Sequence, residues 1–599
     1  MTARQPGAVT AARTDSGVIE VDAPGYRLMF PADGETATLT AAEGRPLQLQ
    51  LSGALDRAGV RDETLSVDAP RLGTAGGHPV VTVARRSTAW RTAATRIVCT
   101  PQGPELSWQV TGEGDLDEVL LCATRAALGG RGGGLRPSGH AWRTLFSPAP
   151  GAPSRLLRDA GESAVTGACG DARPGRGHWF FTPPPLCLAL TEAALPEDAD
   201  PAVPAGHPWW TLGLGGPVAG LTFTRSCWVP SDLGWHLRLE YETHTRVEGD
   251  FTTPALLVTP GHPDPYEGLR AHRAWLSDRG WAPGPDDGPR PPWWSEPMFC
   301  GWGAQCARSR ETGEPAPALS TRAEYDGHLA LLEANGLVPG TVVIDDKWQR
   351  AYGSWEPDEE AWPGLREWIA DRHARGQRVL LWWRAWSAEG VPDELCVRTP
   401  DGVPVTIDPE HPDARTLLAA NISRLLSPDG LDADGLKVDF TADTPTGHSL
   451  THHGPSWGIA LLHAHQRVLY RAAKAARPDA LVVTHTPHPA FADVTDMIRL
   501  NDMLRLDDPE PWAPVVPQMR YRAAVAAAAC PHTPLDTDDW CAPDLEQWRA
   551  YGAVKPEIGV PALYVTSRLD RTGEALQESD YAALRAAWAA HRAARRPTA

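Results

Sequence analysis

The sequence predicts a multidomain chain of β and α/β structure, with an N-terminal β-sandwich followed by a (β/α)8 barrel. Its 599 residues are too many for one hydrophobic core. Up to about Thr259, short apolar runs are separated by glycine, proline and aspartate clusters. After a proline-rich stretch at 283–292, short apolar runs alternate with long amphipathic segments. We therefore expect a sandwich at residues 1–262, a connecting helix and linker at 263–294, and a barrel at 295–599.

The N-terminal part shows many short strand patterns and no convincing long helix. Such a pattern is typical of a β-sandwich, because alternating apolar residues cover one face of each strand. A helical apolar spacing follows at 266–279, just before the proline-rich linker. The clearest strand patterns lie at 18–21, 26–30, 37–40, 79–83 and 237–241.

The C-terminal part contains eight strand patterns, most of them followed by an amphipathic helix. Eight βα units in about 300 residues favour a closed barrel over an open sheet, and a barrel brings all strand C-termini to one rim. Only the segment between strands five and six is too short to show a helix. The strands are predicted at 297–303, 341–348, 378–386, 433–440, 480–486, 496–502, 533–538 and 561–567. The helices are predicted at 322–334, 364–374, 414–426, 458–476, 515–529, 545–554 and 580–594.

Composition excludes several classes of function. The net charge of −19 argues against a nucleic-acid partner, because phosphate binding requires an excess of lysine and arginine. The ten cysteines show neither paired CxxC motifs nor zinc-type spacing, and no glycine-rich nucleotide loop is present, so we expect no metal and no cofactor. The N-terminus lacks an apolar signal region and no apolar run is long enough to span a membrane, which predicts a cytoplasmic protein without a membrane partner. The sequence leaves open whether the chain forms a homo-oligomer.

The fourth predicted strand ends in a candidate catalytic carboxylate, Asp439. Lys437 lies two residues earlier and shares its face of the strand, because strand side chains alternate. A neighbouring cation lowers the pKa of a carboxyl group and keeps it ionised, as a nucleophile or an electrostatic stabiliser requires. The alternative is an ordinary strand-end aspartate that caps the next loop.

Acids and tryptophans alternate around the rest of the predicted rim. This composition is typical of a sugar site, where carboxylates accept hydroxyl hydrogen bonds and indoles cover the apolar ring face. Helix capping is the alternative, which we favour for Asp536, Asp538 and Asp539 but not for the adjacent pair Asp345 and Asp346. The histidines at 452, 453, 485 and 488 are too loosely spaced to assign a metal ligand. The rim residues are Trp302, Asp345, Asp346, Trp348, Trp382, Trp383, Trp386, Lys437, Asp439, His485, His488, Arg499, Asp502, Asp536, Asp538 and Asp539.

Four barrel motifs together resemble those of the α-galactosidase clan, with glycoside hydrolase family 36 as the most similar family. They are V-I-D-D-K-W at 343–348, L-L-W at 380–382, G-L-K-V-D-F at 435–440 and I-R-L-N-D at 498–502, in the family's order. The resemblance covers the barrel from about Cys300 to Ser567, and the preceding β domain is similar in kind to the family's N-terminal sandwich.

The resemblance implies a retaining mechanism in which Asp439 is the nucleophile and Asp502 the acid/base. Arg499 lies three residues before Asp502, as in the family, where the arginine contacts the sugar or the nucleophile. Asp493 is the alternative acid/base, because F-A-D-V-T-D at 491–496 resembles the family 27 motif. We prefer Asp502, which lies at a strand end. Retention requires the two carboxyl groups to lie about 5 Å apart, and their repulsion then raises the pKa of the proton donor.

The resemblance also implies a sugar-binding set around the two catalytic acids. Asp345 and Asp346 accept sugar hydroxyls, Trp382 forms a wall of the pocket, and Lys437 holds a hydroxyl near the nucleophile. Trp302, at the end of the first strand, joins this set as an aromatic contact.

The departures from the family pattern fall in the sugar pocket. Lys347 replaces a glycine, W-W-R-A-W at 382–386 replaces W-x-x-P-E, and T-H-T-P-H at 484–488 replaces a galactose-binding loop. These changes weaken the assignment of galactose more than that of a retaining glycosidase. Lys347 and Arg384 are compatible with an acidic or sulfonated sugar, although a solvated rim face is the preferred interpretation.

The sequence therefore predicts a retaining α-glycoside hydrolase, α-galactosidase-like, that cleaves a terminal α-linked sugar from an oligosaccharide or glycoside by double displacement. Two alternatives remain open. One is a raffinose-synthase-like α-transglycosylase that uses the same acids, and the other is a carbohydrate-binding protein without catalysis.

Overall fold

The computed structural model describes residues 8–42, 45–125, 134–137, 142–149, 155–169, 180–231, 234–284, 288–504 and 514–595. Residues 1–7 and residues 285–287 of the expected linker lie outside these ranges. Among the described residues, no helix has both the length and the apolar character needed to cross a membrane.

Twenty strands between Thr10 and His262 form one antiparallel hydrogen-bonded network. Its longest antiparallel pair is β11 and β19, which extends from Gln109 opposite Thr252 to Leu121 opposite Leu237 with a shift of register between Leu116 and Glu118. The strands are β1 (Thr10–Arg13), β2 (Ile19–Asp22), β3 (Tyr26–Phe30), β4 (Thr36–Ala41), β5 (Leu47–Gln50), β6 (Ala54–Arg57), β7 (Thr64–Val67), β8 (Arg71–Ala75), β9 (His78–Ser87), β10 (Thr92–Cys99), β11 (Pro104–Leu121), β12 (Leu135–Pro137), β13 (Thr144–Phe146), β14 (Arg158–Asp159), β15 (Ala164–Ala168), β16 (Cys187–Thr191), β17 (Trp209–Gly215), β18 (Arg225–Ser231), β19 (Gly234–Thr252) and β20 (Ala255–His262).

A connecting helix, α1 (Pro265–Asp278), joins this network to the second part of the chain. Asp264 caps it by accepting a hydrogen bond from the Glu267 amide at 2.9 Å. Tyr266 packs on Phe146 of the first part, and Phe146 in turn packs on Tyr521 of the second. The helix therefore lies where the two parts meet, and buried apolar residues of both parts form one continuous core.

The second part is a parallel eight-stranded sheet surrounded by helices. Its strands are β21 (Met298–Cys300), β22 (Thr341–Ile344), β23 (Arg378–Arg384), β26 (Gly435–Asp439), β27 (Leu481–Thr484), β28 (Met497–Arg499), β29 (Leu535–Asp536) and β30 (Ala562–Leu563), and a hairpin of β24 (Cys396–Arg398) and β25 (Pro404–Ile407) is inserted. Its helices are α2 (Trp302–Thr312), α3 (Arg322–Ala334), α4 (Leu365–Ala374), α5 (Pro412–Leu426), α6 (Gly458–Ala476), α7 (Val515–Ala529), α8 (Leu545–Ile558) and α9 (Glu578–Arg595).

The eight strands are hydrogen-bonded in the order of the chain, and β21 also pairs with β30. A parallel bridge between Asp536 and Val560 brings the two remaining ends together, so the sheet is nearly closed. This architecture confirms the expected β-sandwich followed by a (β/α)8 barrel. The strands end earlier than the sequence predicts, so that Asp345, Asp346 and Asp502 lie in the loops that follow them.

A prediction follows for Gly435, the first residue of β26. A Cβ at this position would lie well inside van der Waals distance of the backbone carbonyl of Leu481 in the neighbouring strand. Because a hydrogen-bonded strand cannot move aside freely, Gly435→Ala is expected to lower the free energy of unfolding of the barrel by about 1–3 kcal/mol. Chemical denaturation followed by tryptophan fluorescence measures this loss.

Gly327, in the exposed middle of α3, provides a matched control. No atom lies within 4 Å of an added Cβ there. Gly327→Ala is expected to leave stability unchanged or to raise it by up to about 1 kcal/mol, since alanine favours the helix. Equal effects of the two substitutions would contradict the close strand contact at Gly435.

Candidate active site

Asp439 is the last residue of β26, at the carboxyl end of the barrel sheet. The following residue, Phe440, has a left-handed backbone with φ 57°, and its amide donates to Asp439 Oδ1 at 2.8 Å. The indole Nε1 of Trp382, on the neighbouring strand, donates to Asp439 Oδ2 at 3.2 Å. Both carboxylate oxygens are therefore held by groups at the strand ends.

One buried guanidinium connects three carboxylates at this end of the barrel. Arg499, which is only 2% exposed, lies at the end of β28. Its Nη2 donates to Asp439 Oδ1 at 2.7 Å. Its Nη1 donates to Asp502 Oδ1 at 3.1 Å and to Asp538 Oδ2 at 2.8 Å. The two acids that the sequence singles out thus share one cation.

The environment keeps Asp439 ionised. Burial acts to raise the pKa of Asp439, but the cations Arg499 and Lys437 outweigh it and hold the pKa well below its usual range. The neighbouring His485 adds no charge at neutral pH, because burial lowers its pKa to about 3. Asp439 is accordingly a carboxylate over the whole physiological range.

The environment acts in the opposite direction on Asp502. Burial, supported by the anions Asp538 and Asp439, raises the pKa of Asp502 to about 7 despite the opposing charge of Arg499. The expected repulsion between the two acids is present, but burial is the larger cause. A protonated and an ionised carboxyl group therefore lie on the same guanidinium.

Lys437 is not the direct partner of Asp439 that the sequence suggested. Its Nζ donates to Asp345 Oδ2 at 2.7 Å and lies 3.4 Å from the Cys300 Sγ. The Cys300 thiol also donates to Asp345 Oδ2 at 2.9 Å, and the Asp346 amide donates to Asp345 Oδ1 at 2.9 Å. Asp345 is therefore engaged mainly by protein groups beneath the rim, and Lys437 acts on Asp439 only through its charge.

Asp346 faces a tyrosine. The Tyr352 hydroxyl donates to its two oxygens at 2.8 Å and 3.1 Å. Burial raises the pKa of Asp346 to about 7, although the Tyr352 hydrogen bond opposes this. Trp382 is only 1% exposed, between Tyr352 and Phe440, so it contacts the site through its indole N–H and not as an open wall.

Trp302 begins helix α2 instead of ending a strand. Its ring meets the edge of Trp540, with centroids 5.8 Å apart. The Trp540 amide donates to Asp538 Oδ1 at 2.9 Å, and its carbonyl accepts from the Met503 amide at 2.6 Å. This aromatic pair therefore borders the loop that carries Asp502.

Asp493, the alternative acid, lies elsewhere. Its side chain is 47% exposed and lies 3.0 Å from His463 Nε2. It makes no contact with Arg499 among the contacts described for this part of the chain. Of the two alternatives, Asp502 is the one brought to Asp439.

Sequence reasoning missed Asp538. It was expected to cap a helix, but Asp544 caps α8, while Asp538 accepts from Arg499 and from the Tyr564 hydroxyl at 3.2 Å. Parallel pairing of Arg499 with Asp536 places Asp538 beside the guanidinium. The available signal was its position at the end of the predicted seventh strand, 533–538, which matches that of Asp439 at the end of the fourth; the observed strand ends two residues earlier, at Asp536.

The two cations that suggested an acidic sugar are both paired. Lys347 Nζ lies 2.7 Å from Glu389 Oε1, and Arg384 Nη2 lies 3.2 Å from Asp443 Oδ2. Both also lie over the ring of Tyr352. Across the described ranges, no group of three or more histidine, cysteine or acidic side chains is arranged to hold a metal ion.

Comparison with solved structures identifies proteins of the same fold. An α-N-acetylgalactosaminidase from Bifidobacterium bifidum, solved with GalNAc, is 13% identical, with a TM-score of 0.61 over 96% of this chain and 92% of that one. A GH31 family sulfoquinovosidase from E. rectale, solved with an aza-sugar inhibitor, is 11% identical, with a TM-score of 0.58 over 97% and 82%. An α-galactosidase from Thermus thermophilus, solved with stachyose, is 16% identical, with a TM-score of 0.52 over 87% and 99%.

No protein-family model and no curated protein matches the sequence. These structural similarities confirm that the chain resembles the α-galactosidase clan in its fold.

A stability prediction follows for Arg499. Arg499→Met leaves three buried carboxyl groups, among them the ionised Asp439, without their shared cation, so the free energy of unfolding is expected to fall by about 3–5 kcal/mol at neutral pH. Wild-type Asp439 has a depressed pKa, so its contribution is complete above the unfolded pKa and is lost as the pH falls. The difference between variant and wild type should therefore shrink as the pH falls from about 4, the unfolded value, towards the lower folded pKa of Asp439.

Denaturant titrations at several pH values measure this difference. Arg246→Met, at an exposed pair with Asp115, is the control and should change nothing measurable. A deficit for Arg499→Met that stays constant with pH would contradict the electrostatic account.

Proposed function

We propose that the protein is a retaining α-glycoside hydrolase of the α-galactosidase type that removes a terminal, neutral, α-linked sugar. The observation that carries this proposal is the Arg499 guanidinium, which joins one carboxyl group of lowered pKa to one of raised pKa. Two acids with opposite protonation states at one site are what double displacement at an anomeric carbon requires. Residues 295–599 form the catalytic barrel in this proposal, and residues 1–262 the supporting sandwich.

The first chemical step forms a covalent intermediate. Asp439 Oδ1 accepts from Arg499 and Phe440, whereas Oδ2 accepts a single hydrogen bond, from Trp382, among the described residues. Oδ2 is therefore the attacking atom. As its bond to the anomeric carbon forms, the glycosidic C–O bond breaks, and Asp502 gives its proton to the leaving oxygen.

The second step returns the enzyme to its starting state. Asp502, now a carboxylate, takes a proton from water as the water oxygen attacks the anomeric carbon. The bond to Asp439 breaks and the sugar leaves with its original configuration. Arg499 contacts both acids throughout and stabilises whichever of them is negative.

Contacts around the two acids support a neutral sugar. The cations Lys347 and Arg384 are neutralised by Glu389 and Asp443, which disfavours a sulfonate or carboxylate on the substrate. Asp346, which is hydrogen-bonded to Tyr352, is suited to accept a hydrogen bond from a sugar hydroxyl or to donate one to it. The half-buried Trp302, which packs on the buried Trp540, offers an apolar ring face for a sugar. Two of the structural neighbours, an α-galactosidase and an α-N-acetylgalactosaminidase, support an α-linked neutral sugar, whereas the third is a sulfoquinovosidase.

A panel of nitrophenyl α- and β-glycosides, including galactoside, glucoside, N-acetylgalactosaminide and sulfoquinovoside, first identifies a substrate that the protein cleaves. Azide rescue with that substrate then tests the two catalytic roles. Asp439→Ala should abolish turnover, and azide should restore it with an inverted β-glycosyl azide as product. Asp502→Ala should give a retained α-glycosyl azide from an activated substrate, because azide then intercepts the covalent intermediate. Product configuration is read by NMR.

Asp493→Ala is the matched control and should keep wild-type activity. Turnover by Asp439→Ala without azide would remove the assignment of the nucleophile. Binding of every glycoside with cleavage of none would indicate a carbohydrate-binding protein, and transfer to an added sugar in preference to water would indicate a transglycosylase.

The pH dependence of kcat/KM tests the proton donor. Asp502 acts in its protonated form, so activity should fall as the pH rises through about 7, while Asp439 places the acidic limb far lower. The Asp538 anion raises the pKa of Asp502, so Asp538→Asn should move the basic limb to lower pH. A basic limb that stays in place or moves upward in this variant would contradict the assignment.

A further inference from the structure

A second buried arginine lies on the other side of Asp502. Arg522, on α7, is 1% exposed. Its Nη1 donates to three successive carbonyl oxygens, those of Leu500 at 3.0 Å, Asn501 at 3.2 Å and Asp502 at 2.6 Å. The guanidinium thus holds the backbone that carries the proposed proton donor, whereas Arg499 holds its carboxyl group.

The β-sandwich part of the chain supports this arginine. The ring of Phe180 lies beneath the Arg522 guanidinium, with Cζ 3.7 Å from the ring centroid. The Phe180 carbonyl accepts from Asn501 Nδ2 at 3.2 Å. Two residues on, the Thr182 amide donates to the His485 carbonyl at 3.2 Å. The segment at 180–182 therefore reaches the barrel rim at the loop that carries Asp502.

The backbone of this loop needs external support. Asn501 is in the left-handed region, with φ 69°, where side-chain-bearing residues are uncommon and asparagine is among the more tolerated. Its Oδ1 accepts from the Asp502 amide at 2.9 Å, which closes a tight local turn. Arg522 and Phe180 each bond to this same turn, so the direction of the Asp502 side chain depends on them.

Arg522 also supplies charge. Burial lowers its pKa to about 10, with Asp502 as the largest opposing influence, so it remains a cation at neutral pH. Within the described residues no carboxylate oxygen lies within salt-bridge distance of it. Its field therefore favours the anion that Asp502 becomes after proton donation.

We propose that Arg522, held by Phe180 of the sandwich, is a positioning residue that aims Asp502 at the leaving-group oxygen and stabilises its ionised form. This inference rests on the proposed function. The inference goes beyond the proposed function because it assigns part of the control of proton transfer to residues that contact neither the sugar nor the reacting atoms.

The experiment compares leaving groups, because acid catalysis matters most when the leaving group is poor. Arg522→Met should lower kcat/KM for an alkyl α-glycoside by about 10²-fold, but only a few-fold for a dinitrophenyl α-glycoside, which leaves without a proton. Phe180→Leu should show the same selectivity with a smaller loss. Loss of the cation should also move the basic limb of Arg522→Met to higher pH, whereas Arg522→Lys, which keeps the charge, should retain the wild-type limb.

Arg477→Met is the control for loss of a partly buried arginine, which is 14% exposed and is also paired with Asp432 and Asp434. Arg477 donates to the carbonyls of Leu426 and Asp432, in the segment that precedes β26 and so at the opposite end of the barrel. It should lower thermal stability without changing the ratio between the two substrates. Equal losses on both substrates for Arg522→Met, or an unmoved basic limb, would overturn the inference.

Two further comparisons keep the outcomes separate. If Arg522→Met does not yield folded protein by circular dichroism, Phe180→Leu decides, and equal losses on both substrates there overturn the inference. If Asp502→Ala itself shows no selective loss on the alkyl glycoside, the proposed function fails. If Asp502→Ala shows the loss and the Arg522 and Phe180 variants do not, only the positioning role fails.

Discussion

The structure around the barrel rim depends on one buried cation, the Arg499 guanidinium, which is hydrogen-bonded to three acidic side chains. Arg499 neutralises Asp439 fully and shares its other nitrogen between Asp502 and Asp538. Three carboxyl groups around one guanidinium cannot all be ionised at low cost in a buried site. The excess is resolved at Asp502, where burial and the neighbouring anions outweigh the shared cation and raise the pKa, so the different protonation states of Asp439 and Asp502 follow from charge balance.

Much of this arrangement can be predicted from the sequence, because it depends on the period of the strands and on where they end. Asp439 and Asp502 both follow short apolar runs, and a closed parallel sheet brings such positions to one rim. The pairing of Lys437 with Asp345 could not be predicted in the same way. It depends on which side chains meet inside the barrel, here from two residues that are 92 positions apart in the chain. Alternation along a single strand cannot predict such a contact.

The same limit explains Asp538 and Arg522. Asp538 lies two residues after β29, in the acidic segment D-T-D-D at 536–539 that also fits helix capping, and only the register of Arg499 with Asp536 separates the two interpretations. Arg522 lies within an alanine-rich helix, where an arginine normally faces solvent. It is buried here because Phe180, from the other part of the chain, covers it. A sequence pattern describes one helix or strand at a time, whereas Asp538 and Arg522 contact residues of other elements that are distant in the chain.

These contacts also set an order in which the centre is completed as the protein is made. Asp439 is synthesised 60 residues before Arg499, to which it is hydrogen-bonded. Phe180 is synthesised 321 residues before Asn501, whose side chain donates to its carbonyl. Until the seventh strand and α7 have emerged, a nascent chain contains Asp439 without the full set of contacts that surround it and Asp502 in the folded protein. The contacts around Arg499 and Arg522 can therefore form only in a chain that has been synthesised at least as far as Asp538.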